Sequence, residues 1–192
     1  CGNVTGIMVY SELAGKMVEV AREAFPLAQR LAILVNDADS GHKVALEAFL
    51  SGAQRFKFEP VVVRAARVED IDGVFRELAA RKAELLYMAD LVFTYSNHKQ
   101  LVERSLKARL PLLTGYDDVA ANGALLSYGT PREENYRRAA ALVDKILRGA
   151  RSGELAVEQP ERFQLVVNMK TAKAIGASLS PATMLRATKV IE

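Results

Sequence analysis

The sequence contains a single cysteine, no tryptophan and only two histidines among its 192 residues. One cysteine excludes an internal disulfide and a metal site built from several cysteines. The remaining Asp, Glu and His residues show no spacing typical of metal ligands, so the sequence predicts neither a metal nor another cofactor. No run of about 18 apolar residues occurs, and a membrane-spanning helix is therefore not expected.

Motifs that carry common chemistries are also missing. The sequence has no G-x-G-x-x-G, no Walker A motif and no G-x-S-x-G, which excludes the usual phosphate loops and the nucleophile elbow. Its 26 basic and 23 acidic residues are interspersed, and no basic cluster alternates with aromatic residues. A nucleic-acid partner is therefore not expected. The composition favours a binding protein over an enzyme.

The first 115 residues alternate between helical apolar spacing and short, unbroken apolar runs. The apolar runs read as strands at 31–35, 60–63, 84–88 and 111–114, with helical stripes before and between them. Unbroken runs are typical of strands that are covered on both faces. The sequence therefore predicts an α/β fold, a doubly wound parallel sheet with helices on both faces, in which helices and strands alternate from residue 6 to about 128.

The pattern changes after Gly115. A short strand, LLSYG, precedes an amphipathic helix at about 133–148, and a polar connector leads to a strand at 163–168 and a helical tail. The helix has an apolar face formed by Tyr136, Ala139, Ala140, Val143 and Leu147. Such a helix followed by a single strand needs another sheet to pack against, so we expect this part to cross between two lobes.

Polar residues follow the predicted strands, where open α/β sheets bind their ligands. Hydroxyl, amide and carboxylate groups together suit a small zwitterion, with helix N-termini for a carboxylate and Asp39, Asp90 or Asp117 for an ammonium. Ser40 and Ser96 are explained equally well as helix caps, and Asp117 as a turn residue. The candidate ligand-binding residues are Asn36, Asp39, Ser40, Asp90, Ser96, Asn97, Tyr116 and Asp117.

Several segments resemble the substrate-binding components of ABC importers, in particular the uncharacterised or tryptophan/tyrosine-type family. They are GNVTGI, LVND, NGALLSYG and the closing block VEQPERFQLVVNMKTAKAIGASLSP with LRATKVIE. The resemblance implies the type I periplasmic binding protein fold. It also implies a receptor that clamps a small molecule between two lobes and delivers it to a membrane permease, in the periplasm or membrane-associated outside the cell.

Family members carry a secretion signal and a whole N-terminal lobe before the segment that matches GNVTG. The resemblance therefore implies that residues 1–129 form the second ligand-binding lobe with the first two hinge crossings. Residues 130–192 would contain a crossover helix of the absent first lobe, the third hinge strand and a C-terminal helical tail. We expect Cys1 to be an ordinary internal residue rather than a lipid-modified terminus, and we expect self-association through the 133–168 segment.

The resemblance places the eight candidate residues among the ligand contacts of the second lobe. Relatives that bind aromatic amino acids tend to show TDN where this chain has Ala89, Asp90 and Leu91. Asp90 is retained but the amide is replaced, so the implied solute is an aromatic or another amino acid. Two alternatives remain: the effector-binding domain of a sugar- or purine-responsive transcription regulator, and an unrecognised α/β enzyme.

Overall fold

The structure is a computed structural model, and it describes residues 2–8, 13–160 and 162–192. Cys1 lies outside the described residues, as do 9–12 and Glu161. The helices are α1 (Leu13–Ala24), α2 (His42–Arg55), α3 (Ile71–Ala80), α4 (Val92–Ser96), α5 (His98–Ala108), α6 (Asp117–Ala121), α7 (Arg132–Leu147), α8 (Met169–Ile175) and α9 (Pro181–Arg186). The strands are β1 (Arg30–Val35), β2 (Glu59–Arg64), β3 (Leu85–Met88), β4 (Leu112–Thr114), β5 (Leu126–Gly129), β6 (Gln164–Asn168) and β7 (Lys189–Ile191).

The described strands form one sheet in the order β2-β1-β3-β4-β5-β6-β7. Strands β1 to β5 pair in parallel, β6 is antiparallel to β5, and β7 is parallel to β6. The predicted α/β fold and the alternation of helices and strands up to β5 are confirmed. The short helix α4, which sets the start of α5 at His98, was not predicted.

Strand β1 shows why its apolar run is unbroken. Leu31, Ile33 and Val35 point into a core shared with α1 and α2. Ala32 and Leu34 point into a second core, shared with α3 and α5. All five side chains are fully buried, because successive residues of a strand face opposite sides and both sides carry helices.

The tail after α7 returns to this sheet. Strand β6 pairs with β5 from Leu126↔Val167 to Gly129↔Gln164, and α8 packs into the same core as α1. The expectation that the strand at 163–168 needs a second sheet was wrong, because the sheet was open on the far side of β5. A crossing toward a further lobe stays a prediction.

Residues 2–8 run beside the connector that follows α7. The backbone amide of Met8 donates to the carbonyl of Glu158 at 2.9 Å, and the amide of Glu158 donates to the carbonyl of Gly6 at 2.9 Å. Arg138 of α7 forms an ion pair of 3.0 Å with the Glu158 side chain. The segment that was expected to form the first hinge crossing therefore lies beside the polar connector, and Arg138 of α7 pairs with that connector.

Helix α7 exposes its apolar side chains. Throughout this fully described helix, Leu142 is the one buried residue, whereas Tyr136 is 63% and Leu147 is 81% exposed. Val143, one turn before Leu147, is 54% exposed.

Within the described ranges no helix is both long enough and apolar enough to cross a bilayer.

Self-association through α7 stays a prediction. Contiguous exposed apolar surface favours a partner, so we expect the 192-residue chain to show concentration-dependent association in sedimentation velocity. The double variant Val143→Glu with Leu147→Glu should shift it to monomer, and Lys145→Glu on the same helix should not. A wild-type chain that stays monomeric at all concentrations would contradict this prediction.

Candidate functional site

Two adjoining depressions lie where β1, β3, β4 and β5 end. Their volumes are about 330 and 500 Å3. We call them together the cleft; the lining residues that they share are Gly41, Asp90, Leu91, Tyr116, Arg132 and Asn135. Parallel strands bring their carboxyl ends to one edge of a sheet, which is why residues distant in sequence meet here.

Five of the eight candidate residues line the cleft. They are Asp39, Ser40, Asp90, Ser96 and Tyr116. The cap interpretation of the two serines does not hold, because Gly41 is the N-cap of α2 and Asn97 is the N-cap of α5. Both serines line the cleft, and neither is the N-cap of the helix that follows it.

The other three candidates do not line the described cleft. The buried Asn36 side chain accepts from the Ala38 amide at 2.8 Å and donates to the Ala66 carbonyl at 3.3 Å. Asn97 Nδ2 donates to the carbonyl of Phe93 at 2.8 Å. Asp117 begins α6 and accepts from the next backbone amide at 3.0 Å. Each side chain is engaged with nearby backbone, and a role in ligand contact stays a prediction.

Asp90 is the half-buried carboxylate between the two depressions. Its Oδ1 accepts from the backbone amide of Gly115 at 2.8 Å, and its Oδ2 accepts from the Tyr87 hydroxyl at 3.2 Å. Burial raises the pKa of Asp90 to about 6, although the two hydrogen bonds act in the opposite direction. Burial also raises the pKa of Tyr87 well above its usual value, so this hydroxyl stays a donor.

Asp39 joins two loops at the rim of the cleft. Its Oδ1 accepts from the amide of Gly41 at 3.0 Å, and its Oδ2 accepts from the amide of Val92 at 2.9 Å. The first bond shapes the loop between β1 and α2, and the second fastens that loop to the start of α4. Asp39 therefore positions the cleft wall as well as contributing negative charge.

Sequence reasoning missed a cluster of tyrosines around Arg132. The guanidinium carbon of Arg132 lies 4.1 Å from the ring centre of Tyr95, 5.5 Å from that of Tyr136 and 5.6 Å from that of Tyr116. The rings of Tyr95 and Tyr116 meet edge to face at 4.7 Å. These distances fall within the range of cation–π attraction. The cluster joins α4, α6 and α7, which no local sequence pattern connects.

Asp118 completes the cluster from the start of α6. The Tyr95 hydroxyl donates to its Oδ2 at 2.7 Å, and Arg132 Nη1 lies 3.6 Å from the same oxygen. The hydrogen bond to Asp118 raises the pKa of Tyr95, and burial raises that of Tyr116. The tyrosines Tyr95, Tyr116 and Tyr136 were the available signal in the sequence.

The smaller depression has an apolar wall. Leu13 and Ala14 of α1, Ala45 of α2 and Leu91 line it. Leu91 is only 4% exposed, and the small surface that it retains lines both depressions. The cleft can thus accommodate a small molecule that has both charged and apolar parts.

Within the described ranges, no three metal-ligating side chains come together.

Residues 1–191 match the family of ABC transporter substrate binding proteins. The chain belongs to this family. Members bind substrates for transport rather than transform them, and the match does not favour the alternatives of a regulator domain or an α/β enzyme. The predicted family is therefore confirmed.

One curated protein and two solved structures are similar to this chain over most of its length. The Tyrosine-binding protein of Clostridioides difficile strain R20291 is 20% identical over 174 residues, which cover 91% of this chain and 50% of that protein. A conserved domain protein from Vibrio cholerae matches with a TM-score of 0.88, at 22% identity, over 98% of this chain and 63% of its own. An ABC domain in complex with L-Trp from Streptococcus pneumonia matches with a TM-score of 0.84, at 18% identity, over 99% and 65%.

The chain thus spans about half the length of the curated relative and under two thirds of the solved chains. At these identities the solved structures establish the fold, and they support the predicted type I periplasmic binding protein architecture.

Replacing Gly115 should disrupt the floor of the cleft. A Cβ on Gly115 would overlap the Asp90 carboxylate, so Gly115→Ala should destabilise the fold by roughly 1–3 kcal/mol in urea unfolding. The matched control is Gly73→Ala in α3, where the nearest atom is the end of the Arg76 side chain at 3.9 Å. This change should be neutral or slightly stabilising. Equal effects of the two substitutions would contradict the packing argument.

Proposed function

We propose that this chain is the ligand-binding part of a solute receptor of an ABC import system. It binds an amino acid or a closely related zwitterion in the cleft and presents it to a membrane permease. The receptor acts in the periplasm or at the outer side of the cell membrane and catalyses no reaction. The observation that carries the proposal is the pairing of a half-buried carboxylate, Asp90, with an aromatic and apolar lining in an open cleft.

Asp90 is the group suited to an ammonium. It is partly desolvated, so its attraction to a cation is screened less than that of a surface carboxylate. Its two oxygens already accept from Gly115 and Tyr87, which fixes the carboxylate in one orientation. A carboxylate oxygen can accept more than one hydrogen bond, so a third donor from the solute can still be accommodated.

The apolar wall supports an amino acid with a sizeable side chain. Leu91, Leu13 and Ala45 offer apolar contact, and Tyr116 offers a ring face or edge. Two relatives are described by their names as binding tyrosine and tryptophan, and an aromatic solute suits this lining. Leu91 favours an apolar group of the solute at this position, whereas an amide would favour a group that forms hydrogen bonds.

The remaining length of the relatives supports a second lobe that covers the cleft. Small-molecule sites usually bury roughly 70–90% of the ligand surface, whereas one lobe leaves the cleft open on one side. The domain assignment stays part of this proposal: residues 1–129 are one ligand-binding lobe with the first two hinge crossings. Residues 130–192 contain a crossover helix of the other lobe, the third hinge strand and a C-terminal helical tail.

Calorimetry with a panel of amino acids tests the proposal. We expect the protein expressed from the complete gene to bind at least one of them with micromolar affinity. The 192-residue chain alone should bind the same solute about a thousandfold more weakly, because losing half the enclosure costs about 4 kcal/mol. No binding by the complete protein would refute an amino-acid solute. Equal affinities would show that one lobe carries the whole site.

The pH dependence of binding tests the role of Asp90. Its pKa of about 6 lies above the usual value of a free aspartate, so the carboxylate takes up a proton as the pH falls through this range. The neutral acid cannot pair with an ammonium, and affinity should fall by up to tenfold for each pH unit below 6.

In this test the variant Asp90→Asn should bind weakly at pH 7.5 and show no further change down to pH 5. The control Asp37→Asn alters an exposed carboxylate that pairs with Arg64 and should keep the wild-type profile. A pH-independent affinity in the wild-type protein would exclude Asp90 as the partner of the ammonium.

A further inference from the structure

We propose that Arg132 binds the carboxylate of the solute. This inference rests on the proposed function, because it assigns the second charged group of a zwitterion to the same cleft. The sequence predicts helix N-termini as the partners of that group. The structure brings a guanidinium to the cleft instead, and three observations lead from it to a carboxylate.

The first observation is position and charge. Arg132 lines both depressions. Among the described residues that line either of them, it is the one cation, beside the carboxylates of Asp39 and Asp90. A zwitterion whose ammonium pairs with Asp90 therefore has a single cationic side chain in the described cleft to receive its carboxylate.

The second observation is the number of donors that remain available. A guanidinium carries five N–H groups. Nη2 donates to the Tyr136 hydroxyl at 2.7 Å, and Nη1 lies 3.6 Å from Asp118 Oδ2, which is longer than a normal hydrogen bond. The same Asp118 oxygen already accepts from the Tyr95 hydroxyl at 2.7 Å. The side chain of Arg132 is 25% exposed and lines both depressions, where its unused donors can meet a solute.

The third observation is that Arg132 is held in place before any ligand arrives. Its guanidinium stacks over Tyr95 at 4.1 Å and is fastened by Tyr136 and Asp118. A side chain that is already ordered loses little further freedom on binding. The planar fork of arginine also matches the two oxygens of a carboxylate. These contacts make Arg132 a ready receptor for an anionic group rather than a freely moving surface residue.

A purely structural role would have the same neighbours. In that case Arg132 would only fasten α7 to α4 and α6, and its removal would weaken all solutes equally. A carboxylate receptor must instead discriminate solutes that have a carboxylate from those that lack it. This difference defines the experiment.

Calorimetry compares L-tyrosine with tyramine, which keeps the ring and the ammonium but has no carboxylate. In the protein from the complete gene, Arg132→Gln should weaken L-tyrosine about 10- to 100-fold and leave tyramine within about threefold. Arg132→Lys, which keeps the charge but loses the fork, should fall between. The control Arg137→Gln removes an exposed arginine of the same helix, paired with Glu133, and should change neither affinity.

Equal losses for both solutes in Arg132→Gln, or no loss for L-tyrosine, would overturn the assignment. Thermal unfolding of each variant reports whether the substitution has only loosened α7. A folded variant that loses L-tyrosine alone supports recognition of the carboxylate.

A titration with benzoate keeps this test separate from the proposed function. The Arg132 Nε–H resonance, assigned by its loss in Arg132→Gln, should shift saturably with benzoate and not with benzylamine, whereas that of Arg137 should stay unchanged. No response to benzoate would overturn the assignment of Arg132, whichever amino acids bind. A clear response in a protein that binds no amino acid would retain Arg132 as a carboxylate receptor and refute the amino-acid solute.

Discussion

The cleft depends on the close approach of Asp90 to the backbone at Gly115. The carboxylate lies where a Cβ on Gly115 would stand, and it accepts the amide of that residue at 2.8 Å. Gly129 in turn approaches the Gly115 carbonyl so closely that it has no room for a side chain. The ends of β3, β4 and β5 are therefore packed backbone to backbone, and Asp90 is held partly out of water in a fixed orientation. Its raised pKa and its suitability for an ammonium both follow from this packing.

A second constraint comes from the charge balance of the cleft wall. Asp39 and Asp90 line the cleft, and Asp118 contacts Arg132 and Tyr95 beside it. Each carboxylate accepts hydrogen bonds from the protein itself, which lowers the cost of holding it there. Arg132 offsets part of this negative charge, and the tyrosine rings provide a face that stabilises its cation. The wall is thus ordered by its own contacts, and a zwitterion can add to them without displacing a buried ion pair.

The arrangement of the sheet explains why a few polar residues from separate segments can form one site. Helices cover both faces, so the strand interiors are apolar and their polar groups are concentrated at the carboxyl edge. The antiparallel β6 and the helices after it close the open side of this sheet. Helix α7 is largely exposed, with Leu142 as its one buried residue, and it contributes Arg132, Asn135 and Tyr136 to the cleft. A helix that packs only lightly on the core therefore supplies part of the cleft lining.

The sequence by itself determined the α/β class, strands β1 to β5, the sheet edge at which the cleft lies and five of the residues that line it. These features follow from local periodicity and from the rule that parallel strands end at one edge. Only the tertiary structure decided that the side chains of Asn36, Asn97 and Asp117 hydrogen-bond to backbone groups. It also decided that β6 joins the same sheet and that Arg132 lies among tyrosines from distant segments. Such outcomes depend on which side chains meet across α4, α6 and α7, and contacts between residues far apart in the chain leave no periodic signal in it.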